Sequence, residues 1–380
     1  CRSMSGGTVA LTLDIDLQAA AEESLERTIT GMMDTDSRQR GGAAVVMGVK
    51  SGEVLALATY PTYDPTTFNR DYESLSTDDR LPLFNRATDG VFARGSTFKL
   101  CTAVAALESG IITPTTTIRD QGVYTYYAYP QPKCWIYRQY GSTHGSINVS
   151  QAITESCNYF FYETGRLTGI ETIDNYATQF GLGRSTGIET GDSKGALASP
   201  EYAKANELEW TDGQTITAAI GQSYNLFTPI QLANYVATLV GDGEHYKAHL
   251  LKNVKSYDNS SMIYAYDEGP ENTVSISGST LQAVKEGMYG VANSTLSSQF
   301  SRCIVTCGAK TGSAQVGTDI ANGTFVCFAP YDDPQIAVAV VIEKGGSGAA
   351  LAGVAVDIVN AYFSREEIGT AIIGENTLIS

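Results

Sequence analysis

The sequence predicts an α+β fold whose sheet is assembled from the two ends of the chain. Three observations carry that prediction. Gly42 to Val49 and Glu53 to Thr59 are β-rich runs joined by the turn-like Lys50-Ser51-Gly52. From Cys303 the pattern returns to strands: one through Lys310, then Thr324 to Ala329, then Gln335 to Glu343, with Tyr331-Asp332-Asp333-Pro334 as the last turn. Between the two groups, helical patterns broken by Gly and Pro dominate to about Gly241.

Taken in order, Val9 to Asp14 alternates like a strand. Leu17 to Met33 follows with helical apolar spacing after Asp16, a plausible N-cap. Pro61 to Arg86 reads as a polar loop with Tyr63-Asp64-Pro65 as turn chemistry. Leu100 to Leu107 reads as a buried helix, rich in alanine and leucine and free of breakers, and Ser109-Gly110 stops it. Thr228 caps a helix with Pro229 at its first position. Leu281 to Val291 is amphipathic, and Ala350 to Phe363 closes the fold. No internal repeat occurs.

Composition narrows the function. A 380-residue chain with 43% hydrophobic content supports a sizeable core, as one large domain with an inserted lobe or as two or three smaller ones. A net charge of −16 leaves no cationic excess to neutralise phosphates, so no nucleic-acid partner is expected. Many Tyr (22) and Gly (38) with scarce Trp suit a loop-rich enzyme better than a helical array. No window approaches the roughly 18 apolar residues of a membrane span. Residues 1–7 lack the apolar core of a secretory signal and read as an expression scar or linker, and residues 365–380 as a tail without clear role. The seven cysteines form no disulfide framework; they are buried thiols or, in part, metal ligands.

The segment that organises the chemistry is Arg94-Gly95-Ser96-Thr97-Phe98-Lys99. Gly95 and Ser96 fall where a helix should begin, and Lys99 shares nearly the same face three residues on. A hydroxyl beside an amine makes a nucleophile and its base. A lone S-x-x-K is weak. Here Ser156-Cys157-Asn158 follows a helical run, and Lys310-Thr311-Gly312-Ser313 follows a strand-like one. S-x-x-K, S-x-N and K-T-G in that order make a specific combination.

With these motifs the chain resembles the transpeptidase domain of class B penicillin-binding proteins, from about Val9 to Phe363. Ala219-Ile220-Gly221-Gln222, Thr228 to Ala233 and Leu281 to Val291 are nearest the elongation-type (rod-shape) group. The resemblance implies a penicillin-binding-protein/serine β-lactamase-like fold. Its antiparallel sheet, flanked by N- and C-terminal helices, would use residues 8–95 and 300–364, with a mainly helical lobe at 96–299. It implies a D,D-transpeptidase in which Ser96 attacks the bond between the last two D-alanines of a stem peptide and Lys99 takes its proton. Burial and the charge of Lys310 should both lower the Lys99 pKa. Ser156 would relay a proton to the leaving amine, and Asn158 would hold Lys99 and the substrate backbone. Lys310, Thr311, Gly312 and Ser313 would bind the donor along a sheet edge, with a Cβ at 312 crowding the peptide. The backbone N–H groups of Ser96 and Ser313 would be the oxyanion hole. An amine from a second stem peptide completes the crosslink; β-lactams acylate the serine and block that step. The family normally adds a membrane anchor and pedestal, so the chain reads as a trimmed ectodomain from the extracytoplasmic face, partnered by a membrane glycosyltransferase. The chemistry needs no cofactor.

Asp120, Cys134, His144 and Cys157 form a candidate structural zinc set. Some elongation-type members carry similar ligands, with Asp where this chain has Cys134. The alternative is a loop cysteine, a polar His and a packed thiol. His245 and His249 read as a surface loop, Cys303, Cys307 and Cys327 as buried thiols, and Gly345 to Gly348 as a flexible strand-to-helix turn. Tyr124 to Tyr129 could pave a surface. The rival functions are a serine β-lactamase or penicillin-sensing domain, which deacylation rate would separate, and a non-catalytic wall-binding scaffold, against which the intact motifs argue.

Overall fold

A computed structural model describes residues 6–93, 95–129, 131–315 and 320–371, with side chains to residue 364. Residues 1–5, Arg94 and most of the tail lie outside the described residues.

Helix α1 (Ile15–Asp36) starts where the Asp14 carboxylate accepts from the N–H groups of Asp16 and Leu17. The cap is therefore Asp14, two residues earlier than the apolar spacing suggested. Leu17, Ala21, Leu25 and Ile29 recur every four residues and are wholly buried. Strands β1 (Gly42–Gly48) and β2 (Val54–Tyr60) form the expected hairpin. Pro61 to Arg86 departs from the polar-loop reading, because Phe68–Thr77 coils into a helix. That helix has no buried residue, and its apolar face, Phe68, Tyr72 and Leu75, stands among charged side chains.

The lobe follows: α2 (Lys99–Glu108), α3 (Val149–Thr154), α4 (Asn158–Thr168), α5 (Pro229–Val240) and α6 (Gly278–Gly290). Thr228 caps α5 with Pro229 at its first position as expected, Gln231 adds a capping box, and every residue of that helix is buried. Strands β3 (Gly308–Gln315), β4 (Ala321–Ala329) and β5 (Ile336–Ile342) then complete an antiparallel sheet in the order β3-β4-β5-β1-β2. The closing helix is α7 (Ala352–Ala371).

Side chains alternate across the sheet. Ala43, Val45 and Met47 join the core of the lobe, whereas Ala44 and Val46 join the core under α1 and α7. The sheet is thus the middle of three layers, and β3 is one of its two edge strands among the described residues. Thr8–Leu11 pairs in a separate small sheet with Leu251–Lys255, itself paired with Met262–Ala265.

Candidate active site

The three motifs converge on the buried face of β3. Gly95–Phe98 forms a single 3₁₀ turn that runs into α2, placing half-buried Ser96 one turn before Lys99. Two glycines seat this turn. Gly95 has φ +52° and donates its N–H to the Gly221 carbonyl at 3.0 Å; a Cβ at 95 would lie 2.5 Å from the Ser313 carbonyl oxygen. Gly221 has φ +78°, and a Cβ there would meet the Gly95 carbonyl oxygen at 2.0 Å. Only glycine permits these approaches, which press the Ser96 turn against the backbone of the K-T-G strand.

The middle motif lies between α3 and α4. Ser156 adopts φ +52°, a left-handed conformation that costs a non-glycine residue about 1–3 kcal/mol and clusters at functional sites. Cys157 caps α4, its sulfur accepting from the Phe160 N–H at 3.4 Å. The strained link thus joins the two helices, with Asn158 at the first position of α4 and Ser156 between them.

Both motif lysines are completely buried. Lys99 Nζ donates to Asn158 Oδ1 at 2.6 Å and to the Ser156 carbonyl at 2.8 Å, and lies 3.3 Å from Ser156 Oγ. Lys310 Nζ lies 3.0 Å from the same Oγ and 3.1 Å from the Thr311 carbonyl. Burial lowers the Lys99 pKa to about 8. Lys310 is driven well below the usual lysine range, by burial first and then by the charge of Lys99. The mutual repulsion expected from the sequence therefore falls on Lys310; at Lys99 burial acts, partly opposed by Cys157 and Cys134.

One partner lay outside sequence reasoning. Gly348 donates its N–H to Ser313 Oγ at 3.2 Å, and a Cβ at 348 would lie 2.5 Å from the Gly312 carbonyl oxygen. The Gly345 to Gly348 segment is a strand-to-helix turn as expected, but it packs on the K-T-G strand, and its glycines were the only signal. A surface cavity of about 540 Å³ lined by Lys50, His249 and Tyr266 includes none of the motif residues.

Beside the middle motif, donor atoms of Asp120, Cys134, His144 and Cys157 all lie within 4.8 Å of one another. His144 Nδ1 is 2.8 Å from Asp120 Oδ2 and 3.6 Å from Cys134 Sγ; Cys134 Sγ is 3.8 Å from Cys157 Sγ. Burial would raise the Asp120 pKa, yet N–H groups of Gly122 and His144 hold it below the usual carboxylate range. The Cys157 thiol pulls Cys134 down to about 5 against burial and is itself pushed up. Asp120 also anchors the strand pair Ile118–Arg119 and Ser146–Ile147 through its backbone N–H on Gly145.

Other readings change. His245 and His249 are buried, not a surface loop: Nδ1 of His245 lies 2.9 Å from Thr238 Oγ1, and His249 stacks on Tyr266 at 3.5 Å between centroids. Tyr124 is buried, its hydroxyl donating to Glu163, whereas Tyr126 and Tyr129 are exposed. Cys307 and Cys327 are buried thiols; Cys303 is half-buried in a loop.

The sheet, the helices packed on it and the three motifs together define the fold of a transpeptidase domain. The chain belongs to the penicillin binding protein transpeptidase domain family, whose pattern matches residues 42–363. It is 33% identical over 374 residues to the peptidoglycan D,D-transpeptidase MrdA of Escherichia coli, covering 91% of this chain and 56% of that protein. It is 31% identical over 396 residues to the MrdA of Haemophilus influenzae, covering 96% and 58%. The chain thus spans little more than half the length of these relatives. Among solved structures, Pseudomonas aeruginosa PBP2 in complex with WCK 5153 superposes with a TM-score of 0.82 at 30% identity, over 94% of this chain and 76% of the other. PBP2 of Helicobacter pylori, in complex with MreC, gives 0.79 at 26%, over 94% and 64%. These likenesses agree with the α+β fold and with the elongation-type resemblance of the motifs.

Proposed function

We propose that this chain is the catalytic domain of a peptidoglycan D,D-transpeptidase, acylated on Ser96 by stem peptides and by β-lactams. One observation carries the reading. Two buried amines, Lys99 and Lys310, bracket a single hydroxyl, Ser156 Oγ, at 3.3 and 3.0 Å.

Lys99 faces three oxygen acceptors, which suits an ammonium, whereas Lys310 is the amine that burial and repulsion discharge first. A donor peptide brings its terminal carboxylate to Lys310, Thr311 and Ser313, and that negative charge favours a proton on Lys310. Ser156 Oγ touches both amines, and the fraction of Lys99 left neutral by its lowered pKa supplies the base. Neutral Lys99 then accepts the Ser96 proton as Oγ attacks the carbonyl. The backbone N–H groups of Ser96 and Ser313 receive the oxyanion, Asn158 keeps Lys99 aimed, and Gly312 leaves room for the peptide. Ser156 returns a proton to the departing D-alanine amine. The acceptor amine of a second stem peptide reverses the sequence and releases the crosslinked product.

The cluster of Asp120, Cys134, His144 and Cys157 fits a structural zinc. Its donors are the soft and borderline types zinc favours, four in number, and close enough to share one ion. Bound there, zinc would act as a Lewis-acid staple joining the segment that begins at Asp120 to the middle motif. The residues would divide into a sheet subdomain at 8–95 and 300–364 and a mainly helical lobe at 96–299.

Among the described residues no helix is long and apolar enough to cross a membrane. The elongation-type resemblance of the motifs supports a membrane-anchored, extracytoplasmic whole protein with a role in cell shape. The likeness, with a TM-score of 0.81, to a peptidoglycan synthase complex that coordinates polymerization and crosslinking supports a glycosyltransferase partner. Incubation with penicillin tests the central claim: a persistent penicilloyl mass adduct identifies the transpeptidase. Rapid release of penicilloate identifies a β-lactamase, and no adduct identifies a non-catalytic scaffold.

A further inference from the structure

The loop that leads into the K-T-G strand carries a second thiol pair. Cys307 Sγ lies 3.8 Å from Cys303 Sγ and 3.4 Å from the Val305 carbonyl oxygen. The five residues Cys303 to Cys307 are fixed on three sides. The Ile304 N–H donates to Asn360 Oδ1 of α7, the Tyr331 N–H to the Thr306 carbonyl, and Asn293 Nδ2 to the Cys307 carbonyl. The two sulfurs are therefore held together by the surrounding fold, their 3.8 Å separation lying within about 2 Å of the S–S bond length of roughly 2 Å. They differ in access. Cys303 is half-buried next to Ile304, which is 50% exposed, whereas Cys307 sits in the core beneath α7.

We infer that Cys303 and Cys307 are a disulfide-forming pair, oxidised by a small-molecule or protein disulfide, and that the bridge fixes the lead-in of the strand bearing Lys310. The contact from Cys307 lowers the Cys303 pKa against burial, with Arg302 assisting, so the reachable thiol is also the better nucleophile. Its thiolate attacks one sulfur of the oxidant disulfide, forming a mixed disulfide and releasing one thiolate. Cys307 then gives up its proton and attacks the Cys303 sulfur, expelling the second thiol. Two protein S–H bonds become one S–S bond, and one oxidant disulfide becomes two thiols.

The other adjacent pair, Cys134 and Cys157, is wholly buried and flanked by Asp120 and His144, a setting for a cation. Cys303 and Cys307 have no carboxylate or imidazole ligand grouped with them among the described residues. Their proximity calls for a covalent partner instead.

Oxidised glutathione is the probe, with peptide mapping by mass spectrometry and penicillin acylation as the check of folding. The wild-type chain should lose two hydrogens within the peptide holding Cys303 and Cys307, and its Tm should rise, reversibly on reduction. Cys307→Ser should instead retain glutathione on Cys303, and Cys303→Ser should show neither change. Persistent glutathione on Cys303 of the wild type, a bridge from Cys307 to Cys327, or no oxidation at all would each overturn the proposal.

Discussion

Lys99 Nζ and Asn158 Oδ1 lie 2.6 Å apart, joining the first and middle motifs across 59 residues of sequence. Because Lys99 is completely buried, Asn158 supplies a hydrogen bond that solvent cannot replace. The asparagine therefore fixes where the amine sits.

Ser96→Ala should remain folded and form no penicilloyl adduct, with intact mass as the readout. An adduct surviving in that variant would assign the nucleophile elsewhere.

The acylation rate of the wild type should rise with pH. Lys99 is charged below its lowered pKa and becomes a base as pH climbs through about 8. Lys99→Arg should acylate slower by at least about 10²-fold, the low end for removing a general base, since arginine stays protonated. A flat pH profile with a near-normal arginine variant would rule out this base.

Ser156→Ala removes the hydroxyl shared by Lys99 and Lys310. Acylation should slow by roughly 10²–10⁴, the usual range for a lost proton-transfer group. Thermal stability should change little. If single-turnover acylation is unaffected, the hydroxyl carries no proton in this step.

Metal analysis of chain purified without chelator should find about one zinc per chain, by the structural zinc stoichiometry of a four-donor site. Chelation or Cys134→Ser should lower Tm and slow acylation together, because Cys157 separates Ser156 from Asn158. Metal-free protein with normal stability and rate would leave the cluster as four packed side chains.

Gly221→Ala tests how the Ser96 turn is seated. The left-handed backbone alone costs about 1–2 kcal/mol, and the Cβ would sit 2.0 Å from the Gly95 carbonyl oxygen. Both Tm and acylation rate should fall. A variant as stable and as reactive as the wild type would mean that the turn is not held this way.

Much of this arrangement was legible in the chain. β-rich runs at both ends announced a sheet with helices between, because strands buried on both faces read as continuous apolar segments. The helix at Pro229 was plain from its cap and proline. The helix at Phe68 was not, since its apolar face of Phe68, Tyr72 and Leu75 is short, set among charged residues and never fully buried. The buried histidines escaped because what hides them, Tyr266 for His249 and Thr238 for His245, is set by tertiary contact. Spacing brought Ser96 and Lys99 together, but the shared hydroxyl of Ser156 and the Gly348 contact depend on segments far apart in sequence. Local pattern cannot encode such meetings.

Strand β1 pairs on one side with β2, the next strand in sequence, and on the other with β5, which follows only at residues 336–342. Until residues 336–342 emerge from the ribosome, the hairpin of Gly42–Gly48 and Val54–Tyr60 has an open apolar edge and no complete layer to cover it. Pairings so distant in sequence form slowly, since the loop must close before any contact rewards it. A growing chain that lacks β5 therefore carries an aggregation-prone edge, and truncation ahead of β5 leaves the hairpin without its central neighbour.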